Sequence, residues 1–308
     1  MLMKDSINFY YNLNIGEVEN WGNSYRFFYQ ETLFYFVPYH RTEKELEEII
    51  EISRELKGKN IPIHDILYNK FGNILTKVWN ENYILIKPIT DTNLEILLED
   101  ILKLNNYLVL NTNKTKLYQN LWPTLWAKKI DYFEYQVHEL GKNKPLILDT
   151  FSYYVGLGEN AISYVESTID KYQISPLDRI VLSHRRILYP NYSLNFYNPL
   201  SFIFDLEIRD ISEYIKSAFF KSEDAMQILK EVLSKKTFSI YSYQLLYARL
   251  LYPTYYFDMY ELIMENKEKE EALIPYIEKS SSYETFLKDA YYEIAKYQMI
   301  ERIEWLLK

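Results

Sequence analysis

The 308-residue chain contains no cysteine, only seven glycines, four histidines and no excess of positive charge. Without cysteine there can be no disulfide framework, thiolate metal site or cysteine nucleophile. The histidines (His40, His64, His138 and His184) stand too far apart in sequence for helical pairing, so an imidazole metal cluster is not expected. With 35 Lys+Arg against 43 Asp+Glu, the net charge is −8, the wrong sign for a nucleic-acid footprint. Average usage would supply about 20 glycines. With seven, no G-x-G-x-x-G, G-x-x-x-x-G-K-[ST] or G-x-S-x-G can be written, so a glycine-built phosphate cradle is absent.

No basic stretch leading into an apolar one opens the sequence, and no apolar run reaches 18 residues. The expectation is a protein made and kept in the cytoplasm, with no secretion and no membrane insertion. What the chain does hold is 48% hydrophobic residues, 25% charged residues and 32 tyrosines. That balance belongs to a folded globular protein. The tyrosine excess has two readings: coding bias with ordinary aromatic burial, or doublets such as Tyr153-Tyr154 and Tyr255-Tyr256 that offer phenols for oxidative cross-linking.

Aromatic and β-branched density predicts strands at 25–29 and 33–37 around a Gln30-Glu31-Thr32 turn. Thr42 and Glu45 form a capping box that opens a helix over 43–58, with Gly58 as its stop. Further strands are expected at 63–68 and 74–87, the latter turning at 80–82. A second capping box, Thr92 with Glu95, predicts a helix from that point on. Three- and four-residue spacing predicts helices at 125–140 and about 158–169, and a short strand follows at 179–182. An irregular stretch, 191–208, precedes helices near 209–220, 223–236, 239–251, 255–270 and 283–307. The chain therefore divides into a small α+β lobe over 1–88 and a mainly helical lobe over 89–308. The fold class is α+β, with the two-lobed outline of a protein kinase.

Two segments carry a family resemblance. Phe151-Ser152-Tyr153-Tyr154-Val155-Gly156-Leu157-Gly158-Glu159-Asn160-Ala161-Ile162-Ser163-Tyr164 is one. The other runs from Leu182-Ser183-His184-Arg185-Arg186-Ile187 through Phe202-Ile203-Phe204-Asp205-Leu206-Glu207-Ile208-Arg209-Asp210-Ile211-Ser212-Glu213-Tyr214-Ile215. Both resemble the YutH branch of the CotS-like spore coat proteins. That resemblance implies the fold of aminoglycoside and choline phosphotransferases, a place in the endospore coat after synthesis in the mother cell, and other coat proteins as partners. A shared fold does not by itself carry an activity.

Phosphoryl transfer on this fold needs a phosphate-covering loop, a small-lobe Lys, a catalytic Asp, and an Asn and Asp that hold metal. The phosphate loop is expected near 29–33, where Gln30-Glu31-Thr32 offers no glycine. The strand Lys is expected near Phe36-Val37-Pro38, where there is none; Lys77 and Lys87 read as solvated strand residues. Against the His-Gly-Asp loop of the phosphotransferases, with an Asn five residues after the Asp, His184 and Asn191 match, but Arg186 stands at the base. A guanidinium cannot take a proton from a hydroxyl. Asp205 is a weak metal candidate, with Ser201 or Asn198 as alternatives for that position. Asp210 reads as a helix cap and dipole partner. His184 reads as a packed, hydrogen-bonded histidine; Arg185 and Arg186 read as ion-pair partners of Asp205 and Asp210 ahead of an anion-binding reading, and Asp205, Asp210 and Arg185 are the candidate cleft residues. These departures predict no catalytic residue and no cofactor. The expected function is binding or coat assembly on a degenerate kinase-like fold. The alternative is an ATP-dependent small-molecule kinase with rearranged metal ligands.

Overall fold

The computed structural model describes residues 2–110, 115–119 and 122–308, apart from the side chains of Leu140 and Lys142. In chain order the elements are helix α1 (Met3–Tyr11), strands β1 (Glu19–Trp21), β2 (Ser24–Tyr29) and β3 (Thr32–Pro38), and helix α2 (Glu43–Gly58). Strands β4 (Asp65–Leu67), β5 (Thr76–Val78), β6 (Glu81–Lys87) and β7 (Glu95–Ile96) follow. Next come helices α3 (Leu98–Tyr107), α4 (Trp122–Leu140) and α5 (Pro145–Lys171), then β8 (Ile180–His184), β9 (Asn191–Tyr192), α6 (Ser193–Phe196) and β10 (Phe202–Leu206). The chain ends with α7 (Ile208–Phe220), α8 (Ala225–Lys235), α9 (Ile240–Leu251), α10 (Thr254–Met264), α11 (Ile274–Glu278), α12 (Ser280–Ala295) and α13 (Glu304–Leu307).

These elements form two compact units. The first comprises Met1–Ile96, Lys114–Leu117 and Asn191–Phe202; the second comprises the remainder. In the first unit, β1-β2-β3-β6-β4 form an antiparallel sheet, with β5 paired to β6. Alternation along β2 and β3 puts Phe27, Phe34 and Phe36 in a core cluster with Met3 and Ile7 of α1. Tyr35, Ile84 and Ile86 pack in a second cluster with Leu46 of α2. Helix α2 has the predicted bounds and the predicted box: the Thr42 hydroxyl oxygen accepts from the Glu45 N–H, and Glu45 accepts from the Thr42 N–H.

Several sequence expectations fail here for identifiable reasons. Helix α1 and strand β1 are absent from the sequence reading. As β1 is the first strand, the turn between the first two strands is Gly22-Asn23, not 29–33. Gly22 takes the left-handed conformation that turn requires, with φ +58°. Gln30 and Glu31 instead make the β2–β3 turn, both with positive φ. The Thr92–Glu95 box does not open a helix. Glu95 and Ile96 pair with Tyr192 and Asn191, and α3 starts later, where Asp100 accepts the Leu97 N–H at 3.0 Å. A strand partner from a distant segment outweighs the local cap there. Helix α5 runs from Pro145 to Lys171, well beyond 158–169, and the last long helix stops at Ala295.

The second unit is helical, with α5 packed on α4 and α9, and α7 on α8 and α9. Tyrosine fills its core. Tyr154, Tyr247, Tyr252, Tyr256, Tyr260, Tyr283 and Tyr291 are all fully buried. Tyr154 stacks on Tyr256 at 3.7 Å between centroids, and Trp126 on Tyr252 at 4.1 Å. In each of the doublets 153–154 and 291–292 one ring faces the core and the other solvent. Aromatic burial thus accounts for much of the tyrosine excess.

Candidate functional site

The two ends of the second segment of family resemblance, around His184 and around Asp205 to Asp210, come together in the second unit in a buried polar network. Strand β8 ends at His184, and α7 starts at Ile208, so their ends bring His184 and Asp210 together. Both Asp210 oxygens accept the His184 backbone N–H at 3.1 Å, and Oδ2 lies 2.6 Å from the ring Nδ1. His184 is thus packed and hydrogen-bonded as its sequence context suggested. Asp210 does not cap its own helix, as its position suggested: α7 has no side-chain cap, and the carboxylate in its first turn binds the end of β8 instead.

Asp205, at the end of β10, is fully buried. Its Oδ2 accepts from the Trp122 indole at 2.9 Å and from Arg209 at 2.6 Å, and its Oδ1 accepts the Leu206 N–H at 2.7 Å. Burial pushes this carboxyl above its ordinary value, against the pull of Arg209 and Arg249. Arg209 also donates to the carbonyls of His184 and Arg185, which fixes the loop after β8 to the start of α7. The Arg249 guanidinium stacks on the Trp122 ring at 4.2 Å, a cation–π contact behind the same carboxylate.

Arg186 does not pair with Asp205 or Asp210. Its NH2 donates to Asp258 Oδ1 of α10 at 2.6 Å. Asp205 already has Arg209, four residues on at the start of α7, and Asp210 has His184, so the acid left for Arg186 comes from another helix. Beneath it lies a charged cluster: Glu213 accepts from Lys216 at 3.1 Å, Arg249 at 3.0 Å and Thr254 at 2.8 Å. Burial alone would raise the Glu213 carboxyl, but Lys216, Arg249 and Arg186 outweigh it and hold the group down to about 2. Burial brings the Lys216 ammonium down to about 8 despite Glu213.

The remaining predicted residues lie in the first unit. Asn191 is buried on β9, where its Oδ1 accepts the neighbouring Tyr192 N–H. Asn198 caps a turn through the Leu200 N–H at 3.0 Å, and the Ser201 hydroxyl donates to the Asn198 carbonyl at 2.7 Å. On β3 the residues between Thr32 and Pro38 include no Lys, as read from the sequence. On α2, Glu45 pairs with Arg41 at 2.9 Å and Glu48 accepts the Lys116 N–H at 3.0 Å.

A divalent ion of the kind kinases use does not fit these groups. Magnesium needs open carboxylate oxygens in octahedral array. Both Asp205 oxygens already accept hydrogen bonds inside the fold, and a guanidinium lies 2.6 Å from one of them, in the place a cation would take. The residues that organise this network and escaped the sequence reading are Trp122, Arg209, Glu213, Lys216, Arg249 and Asp258. Only the Asp205–Arg209 and Glu213–Lys216 pairs, four and three residues apart, had a readable signal, the second of them at helical spacing.

A family model described as "Spore coat putative kinase YutH" matches residues 4–290. Over 337 aligned positions the chain is 26% identical to the endospore coat-associated protein YutH of Bacillus subtilis (strain 168), covering 100% of this chain and 99% of that protein. Among solved structures, an aminoglycoside phosphotransferase from Alicyclobacillus acidocaldarius matches with a TM-score of 0.64 at 8% identity, covering 96% of this chain and 97% of that one. Spectinomycin phosphotransferase in complex with ADP and spectinomycin matches with a TM-score of 0.59 at 12% identity, covering 90% and 93%. Choline kinase LicA from Streptococcus pneumoniae matches with a TM-score of 0.52 at 10% identity, covering 96% and 98%. These likenesses establish the kinase-like fold of the aminoglycoside phosphotransferases, and the chain belongs to the YutH family of spore coat proteins.

Proposed function

We propose that this protein serves the endospore coat by binding or assembly, on a kinase-like fold that no longer transfers phosphoryl groups. The observation that carries this reading is Arg186. Matched to the His-Gly-Asp pattern of the phosphotransferases, it stands where the catalytic base would, and its guanidinium is tied to Asp258 at 2.6 Å. A permanently protonated group there cannot activate a substrate hydroxyl, and its charge opposes a nearby metal ion. The commitment of Asp205 to Trp122 and Arg209, the two-residue turn at Gly22-Asn23 and the Lys-free third strand support the same conclusion. Its partners on this reading are other coat proteins, and no cofactor is required. Equilibrium dialysis and thermal shift with Mg·ATP, together with an ADP-release assay, test it. The expected result is neither binding at micromolar nucleotide nor turnover. Micromolar binding with ADP release would reinstate a small-molecule kinase with altered metal ligands.

A further inference from the structure

Beside the Arg186–Asp258 pair, the helical unit holds a cavity of about 240 Å³. Tyr189, Phe220, Tyr255 and Tyr276 supply its aromatic lining, the last three packed together with ring centroids 3.9, 5.4 and 5.6 Å apart. An apolar cavity of about 150 Å³ suffices for benzene, so a substituted ring has room here.

The charged groups that line it, Arg186, Glu213, Lys216, Lys221 and Asp258, are not equally available. Both Glu213 oxygens are engaged inside the fold, Oε1 by Lys216 and Arg249 and Oε2 by Thr254. Asp258 Oδ1 is taken by Arg186, with Lys129 a further 3.8 Å contact. Lys216 shares its ammonium among Glu213 and the carbonyls of Arg249 and Tyr252. What remains for a ligand is two cations, Arg186 and Lys221, against the single oxygen Oδ2 of Asp258, so the balance is cationic. Arg186 bonds Asp258 through NH2 alone, which leaves the other edge of a planar fork built for bidentate contact with an acid. Lys221, exposed at the end of α7, forms no ion pair among the described residues.

We propose that this cavity receives a small aromatic acid: one ring against Phe220, Tyr255 and Tyr276, and its carboxylate or phosphate on Arg186 and Lys221. The proposal rests on the reading above in taking Arg186 as a ligand anchor in a site without catalysis. Isothermal titration of the full chain with benzoate, phenyl phosphate and benzylamine tests it, and the two acids separate carboxylate from phosphate recognition. At least one acid should saturate below about 10 mM, as ligands of this size can, and benzylamine should not bind. Arg186→Gln with Asp258→Asn, which removes the pair without stranding a buried charge, should weaken acid binding at least tenfold. Leu262→Trp, which fills the cavity, should abolish it. The proposal is overturned if benzylamine binds as tightly as the acids, if both variants bind acid like the parent, or if neither acid saturates. ADP release in the same samples reports separately on catalysis. Turnover with acid binding overturns only the earlier reading; no turnover and no acid binding overturns only this one.

Discussion

Asp210 holds His184 twice, by its backbone N–H at 3.1 Å and by its ring Nδ1 at 2.6 Å, with both side chains about 1% exposed. This one carboxylate joins the end of β8 to the first turn of α7. Asp210→Ala leaves the N–H and the ring nitrogen buried without a partner. It should cost about 3 kcal/mol of stability, measured by urea unfolding with far-UV circular dichroism. A loss below about 1 kcal/mol would show that water replaces the carboxylate and that the joint is not structural.

Asp205 gives a sharper discrimination between a structural and a metal role. Removing its charge strands Arg209, four residues on and 2.6 Å away, in a buried site. Asp205→Asn should therefore lower stability by about 3 kcal/mol. The loss should be the same with and without millimolar Mg²⁺, and Mg²⁺ should leave the melting temperature of the parent unchanged. A magnesium-dependent rise in the parent that Asp205→Asn erases would identify a metal ligand instead.

Glu213 sets an acid limit on stability. Its carboxyl titrates at about 2 in the folded chain against an ordinary value of 4.5. Its contribution is full above 4.5 and is lost as pH falls from there toward 2. Asp205 and Asp258, both raised by burial, act in the opposite sense. Denaturant midpoints followed from pH 5 to pH 2.5 should fall, and Glu213→Gln should flatten that slope. An unchanged slope in the variant would assign the acid sensitivity to other carboxylates.

Two glycines of α5 should respond in opposite directions. A Cβ on Gly156 meets nothing within 4 Å, whereas one on Gly158 would lie 2.7 Å from Cδ1 of the buried Ile130. Gly156→Ala should stabilise by roughly 0.5–1 kcal/mol through helix propensity. Gly158→Ala should destabilise by about 1 kcal/mol as Ile130 is displaced. Thermal melts of both variants decide it, and equal shifts of the same sign would contradict this packing of α4 on α5.

Interactions between near neighbours in sequence were legible without a structure. Thr42 and Glu45 fix the start of α2, because a cap and its partner three residues on need only local geometry. The hairpin at 24–38 and the positions of helices α7 to α9 follow in the same way from side-chain type and period. So does the absence of a Lys on the third strand and of an acid at Arg186. Tertiary structure decided the partners. Arg186 finds Asp258 across 72 residues, while the nearer Asp205 and Asp210 are claimed by Arg209 and His184. Glu95 lies in a strand because Tyr192 pairs with it, and β1 exists because β2 gives it a ladder, which makes Gly22-Asn23 the first turn of the sheet. Charge pairing and strand pairing depend on where the chain returns in space, and spacing along the sequence does not encode that path.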